Sequence, residues 1–117
     1  MLERIFQMYA EHGKSLRNLH FNEAVLPADV LKSHFFLFEN ENITILGGDI
    51  YILDKNGEMT FTYDGWSFDE NDVSKSISYA LNYINSINLE KFYVSLSVQY
   101  CEERHDVANK LTPKWIP

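Results

Sequence analysis

The chain has 117 residues, 45% of them hydrophobic and 15% aromatic, and a formal net charge of −7. That suits one hydrophobic core and not two, so residues 1–117 are expected to form a single domain, and the apolar content argues against disorder. No apolar run approaches a membrane span, the opening MLERIFQMYAEHGK lacks the apolar core of a signal peptide, and a lone cysteine, Cys101, excludes an internal disulfide; a reducing cytoplasm is the expected location.

In chain order, Leu2, Ile5, Phe6 and Tyr9 recur at helical spacing, and Gly13 suits the position just past a helix end. A first helix is therefore predicted over residues 2–12. Residues 14–26 show no period and read as loop. Pro27 is expected in the first turn of a second helix, where its missing N–H has no partner to lose. Leu31, Phe35 and Phe38 would form that helix's buried stripe, and Glu39-Asn40-Glu41-Asn42 would end it.

Residues 43–66, ITILGGDIYILDKNGEMTFTYDGW, read as a β-hairpin, because Asn56-Gly57 between alternating apolar runs signals a two-residue type I′ turn. That turn pairs Leu53 with Thr60, Tyr51 with Thr62, Asp49 with Asp64 and Gly47 with Trp66. Opposed residues share a face. The expected core face is then Leu46, Ile50 and Ile52 with Met59, Phe61 and Tyr63. The other face carries Gly47, Asp49, Tyr51 and Leu53 with Thr60, Thr62, Asp64 and Trp66. Asp49 opposite Asp64 sets like charges about 5 Å apart. Either a partner's cation relieves that pair or a shifted register removes it.

Downstream, Ser67 and Glu70 have capping-box spacing, with Asp69, Asn71 and Asp72 as rival caps. Val73, Ile77, Ala80, Leu81, Ile84 and Ile87 then step around one face of a helix predicted over residues 71–87. A final strand over residues 91–100 turns Phe92, Val94, Leu96, Val98 and Tyr100 to one side and Tyr93, Ser95, Ser97 and Gln99 to the other. The tail reads as a helical turn near Val107–Leu111, with Trp115-Ile116 docking on the body. The fold class is thus α+β, in the order α-α-β-β-α-β: a three-stranded antiparallel sheet, strand order 2-1-3, with helices on one face. Its open face would present Asp49, Tyr51, Asp64, Trp66, Tyr93, Ser95 and Gln99.

The charge is concentrated. Residues 39–72 hold nine acids (Glu39, Glu41, Asp49, Asp54, Glu58, Asp64, Asp69, Glu70 and Asp72) against one base, Lys55, a net of −8 that leaves +1 for the rest. Such a surface repels nucleic acid and membranes and draws a basic partner, although net acid also serves solubility. Asp49, Tyr51, Asp64, Trp66, Tyr93 and the loop acids Asp69 and Glu70 are therefore the candidate partner-binding residues. No catalytic or cofactor motif accompanies them. The four histidines lack metal-ligand spacing, and Cys101 with His105 straddles a strand end and reads as a thiol and a surface imidazole. Asp54-Lys55-Asn56-Gly57-Glu58 is too short for a calcium loop, and Gly47-Gly48-Asp49 continues as strand with no helix start to hold a phosphate.

The block Ile45-Leu46-Gly47-Gly48-Asp49-Ile50-Tyr51, followed by Asp64-Gly65-Trp66, a helix and a last strand, resembles the immunity protein 40 family of bacterial polymorphic toxin systems. The resemblance spans residues from about 25 to 100. It implies a cytoplasmic protein that binds and neutralises a cognate toxin, with no catalytic residues and no cofactor to carry over. Toxins of such systems include nucleases, whose basic substrate-binding surfaces an acidic patch could cover. Two other classes fit the residues: a small-molecule-binding or enzymatic α+β domain, and an adaptor that homodimerises through its edge strands.

Overall fold

The structure, a computed structural model, describes residues 2–19 and 23–101. The expected tail helix and the docking of Trp115-Ile116 lie outside the described residues. Helix α1 (Glu3–His12) leads through β1 (Lys14–Ser15), a 3-10 turn (Arg17–Leu19) and β2 (Ala24–Pro27) to α2 (Ala28–Asn40). The hairpin β3 (Ile43–Leu53) and β4 (Met59–Ser67), helix α3 (Val73–Ser86) and β5 (Tyr93–Tyr100) follow.

These strands form one antiparallel sheet in the order β1-β2-β5-β3-β4. The expectation of three strands in the order α-α-β-β-α-β is therefore wrong: the segment read as loop supplies two more. Ala24, Val25 and Leu26 are all fully buried, so β2 shows no alternation to betray it, and β1 has only two residues. Strand β2 pairs Leu26 with Val94 and Pro27 with Tyr93, so β5 is not the edge it was expected to be. Pro27, at φ −56°, closes β2 and stands just before α2, at the N-cap position rather than in the first turn where it was expected.

All three helices pack on one face. Ile5, Met8 and Tyr9 of α1, Leu31, Phe35 and Phe38 of α2, and Ile77, Ala80 and Ile84 of α3 join Ile45, Ile50, Val94, Leu96 and Val98 of the sheet in the main core. A fully buried leucine or phenylalanine contributes about 1.5–3 kcal/mol, which is why these stripes, rather than helix propensity, fix the layer. Asp72, not Ser67, caps α3: its Oδ1 accepts the Lys75 N–H at 3.0 Å.

Two irregularities decide which side chains face out. In β3 the pairing with β5 slips between Ile45 and Gly47, so Ile43 and Ile45 share the core face with Ile50 despite the odd spacing. Ser76, buried on the apolar side of α3, accepts the Ile45 N–H at 3.0 Å and donates to the Val73 carbonyl at 2.8 Å. A serine thus satisfies the donor that the slip leaves over.

The second lies in the hairpin. Its loop is Lys55-Asn56-Gly57, three residues rather than two, with Gly57 left-handed at φ 81°. Asp54 Oδ1 accepts the N–H of Asn56 at 2.8 Å and of Glu58 at 3.0 Å, holding the loop closed. Tyr51 consequently pairs with Phe61, not Thr62. A one-residue slip moves a strand's whole pattern to the other face. Met59 and Phe61 therefore leave the expected core face and join Tyr51, Tyr93, Val25 and Leu16 in a second, smaller core on the far side of the sheet. The 14–19 segment covers that side, with Leu16 and Leu19 packed on it and Asn18 Nδ2 donating to the Met59 carbonyl at 3.1 Å.

Candidate functional site

Between Asp49↔Gly65 and Tyr51↔Phe61, β3 has one residue, Ile50, and β4 has three. The bulge Thr62-Tyr63-Asp64 is held at both ends. Thr62 Oγ1 donates to the Ile50 carbonyl at 2.9 Å and accepts the Asp64 N–H at 3.2 Å. Tyr83 of α3 donates its hydroxyl to Asp64 Oδ1 at 3.0 Å. At the apex Tyr63 takes φ 67°, a left-handed conformation that costs a residue with a Cβ about 1–2 kcal/mol, and its side chain is 88% exposed. Its ring rests on Phe61, centroids 4.9 Å apart, and Phe61 rests on Tyr51 at 5.3 Å. An aromatic ladder thus runs from the second core into solvent at the edge strand.

Asp49 lies beside this ladder, its Oδ1 over Gly65, 2.7 Å from where a Cβ would sit. It is not opposite Asp64, so the like-charge pair does not exist. Burial against the sheet, then the charge of Glu23, raise the Asp49 pKa. Burial, then Asp49 and Glu23, push Tyr51 up to about 12. Glu23 also accepts from Ser95 Oγ at 3.2 Å. Among the described residues neither Asp49 nor Glu23 meets a Lys or Arg.

The other candidates scatter. Tyr51 and Tyr93 are buried under the 14–19 segment rather than presented to solvent. Trp66 lies opposite Gly48, not Gly47, and turns into the main core, its ring 5.1 Å from that of Tyr83. Asp64 points to the same helix side as Tyr83. Glu70 sits beyond the hairpin, 3.6 Å from Lys75, and Asp69 is exposed near the start of α3. Tyr63 escaped the sequence reading because the two-residue turn placed it in the core. Of the acids between residues 39 and 72, Glu39, Asp54, Asp64 and Asp72 accept hydrogen bonds, and Glu70 pairs with Lys75. No group of three or more His, Cys, Asp or Glu among the described residues is placed to hold a metal ion, and no helix there is long and apolar enough to cross a membrane.

A family model described as immunity protein 40 matches residues 15–98, from β1 nearly to the end of β5. The chain belongs to the immunity protein 40 family. No curated protein and no solved structure matches it. The matched span begins at the segment that covers the second core and includes both bulges, so the aromatic ladder lies within it. Membership implies that this immunity protein binds a cognate toxin.

Proposed function

We propose that this immunity protein neutralises its toxin by occupying it in the cytoplasm, without catalysis or cofactor, through the acidic and aromatic surface of the β3–β4 hairpin and its flanks. The observation that carries the reading is the net −8 of residues 39–72, concentrated on the hairpin and its flanks. A basic toxin surface, such as the substrate-binding face of a nuclease, is the complement of that charge. Asp49 on the sheet face and Asp69 and Glu70 at the start of α3 supply the acidic rim. Tyr51 and Tyr93 lie beneath it in the second core, Asp64 ties the β4 bulge to Tyr83, and Trp66 packs on that tyrosine from the helix side.

The test is growth rescue. The genes adjacent to this one are searched for a toxin domain; that neighbouring candidate is expressed alone and with the immunity protein, and an inactivated form of it is titrated calorimetrically. Rescue with a stoichiometric complex is expected. Failure to rescue or bind would overturn the reading and return the chain to the small-molecule or homodimer classes.

A further inference from the structure

We infer that Tyr63, standing on the rings of Phe61 and Tyr51 at the β4 bulge, is an anchor for the toxin, taking an arginine side chain across its exposed ring. This rests on the immunity reading above.

The ring is the unusual part. A tyrosine 88% exposed on an edge strand buries almost nothing for the free protein, and asparagine or glycine would accept its backbone angle more readily. Yet its surroundings hold it in place. Thr62 and Asp64 pin the bulge on either side of it, and Phe61 supports the ring from below. A ring already ordered before contact loses little freedom on binding, which is how tyrosine serves as an interface anchor.

Charge chooses the occupant. The hairpin and its flanks carry −8, and Asp49 lies on the same face as the ladder. A second copy of this chain would bring like charge to like charge. The bulge also interrupts the β4 edge that a strand-paired dimer would need. A basic partner is favoured instead. Arginine fits better than lysine because its planar, weakly hydrated guanidinium stacks on an aromatic face while its N–H groups reach a neighbouring carboxylate.

The full-length protein is titrated with an oligo-arginine peptide and an oligo-lysine peptide of equal length, alongside the variants Tyr63→Asn and Tyr63→Phe. Asparagine tolerates the left-handed angle and removes the ring; phenylalanine keeps it. The wild type and Tyr63→Phe should prefer oligo-arginine. Tyr63→Asn should weaken that binding about 2- to 5-fold and erase the preference, while its thermal midpoint stays level or rises. Equal binding by Tyr63→Asn, or a loss matched by earlier unfolding, would overturn the anchor and make Tyr63 scaffold. So would a wild-type dimer in sedimentation that Tyr63→Asn dissociates. With the neighbouring toxin domain as probe, Tyr63→Asn should bind at least about 10-fold more weakly. If the wild type rescues and Tyr63→Asn binds as well as it does, the anchor fails and the immunity reading stands. If the wild type rescues nothing, the immunity reading fails with it.

Discussion

Gly48 lies directly beneath the indole of Trp66. A Cβ at Gly48 would collide with Cη2 of the ring, sit 2.6 Å from Cζ3 and come within 2.9 Å of the Ser95 carbonyl. Tyr83 packs on the ring at 5.1 Å, so the indole is bounded by strand, neighbouring strand and helix. Gly48→Ala should therefore destabilise the protein by about 1–3 kcal/mol through overpacking, and the tryptophan emission should shift as the indole is displaced. Denaturant unfolding followed by fluorescence checks both. An unchanged midpoint with an unchanged emission maximum would mean the ring does not rest there.

Much of this architecture was readable because it rests on local periodicity. The stripes Leu31, Phe35, Phe38 and Ile77, Ala80, Ile84 are buried as their spacing demands, and β3 does lie between β4 and β5. What was hidden depends on single residues with no periodic signature. Strand β2 is buried on both faces and gives no alternation. The loop at Asn56-Gly57 takes one residue more than the dipeptide suggests, because Asp54 caps two N–H groups and makes the longer turn comfortable. That one residue exchanged the faces of β4, sending Trp66 inward and Tyr63 outward. The aromatic composition of the site was legible; which aromatic points to water was not.

Alkaline unfolding should expose Tyr51. Burial first, and the charges of Asp49 and Glu23 after it, hold its folded pKa at about 12, against 10.0 for the free side chain. Between those values the folded protein keeps a proton that the unfolded chain releases. Stability is therefore full below about pH 10 and falls as pH rises through the window. Tyr51→Phe has no proton to lose, so its stability difference from wild type should shrink from pH 9 to 12 in urea titrations. A constant difference would show that Tyr51 ionises in the folded protein as it does in water.

Salt should act on approach. With −8 concentrated on residues 39–72, association with the neighbouring toxin domain should slow steeply between low and physiological ionic strength, while dissociation changes little. Stopped-flow association rates at several salt concentrations measure this. A flat rate would remove electrostatic steering while leaving contact at Tyr63 untouched.

Asp49 separates scaffold from interface in one substitution. The acid lies over Gly65 beside the aromatic ladder, without a Lys or Arg partner among the described residues. Burial and then Glu23 raise its pKa, so ionised Asp49 disfavours the folded state at neutral pH, and that penalty fades as pH falls through the raised pKa. Asp49→Asn should therefore leave the free protein as stable or more stable at pH 7, and it should lack the relative gain that the wild type shows on acidification. If a toxin cation meets Asp49, the complex should meanwhile weaken by about 2–5 kcal/mol, because the partner's charge is left unpaired. Stability and affinity then move in opposite directions, which a purely structural carboxylate does not produce. Thermal unfolding of the free variant, set beside calorimetric titration with the neighbouring toxin domain, reads both quantities. Should Asp49→Asn unfold earlier and bind as before, the carboxylate belongs to the scaffold, and the acidic contact shifts to Asp69 and Glu70.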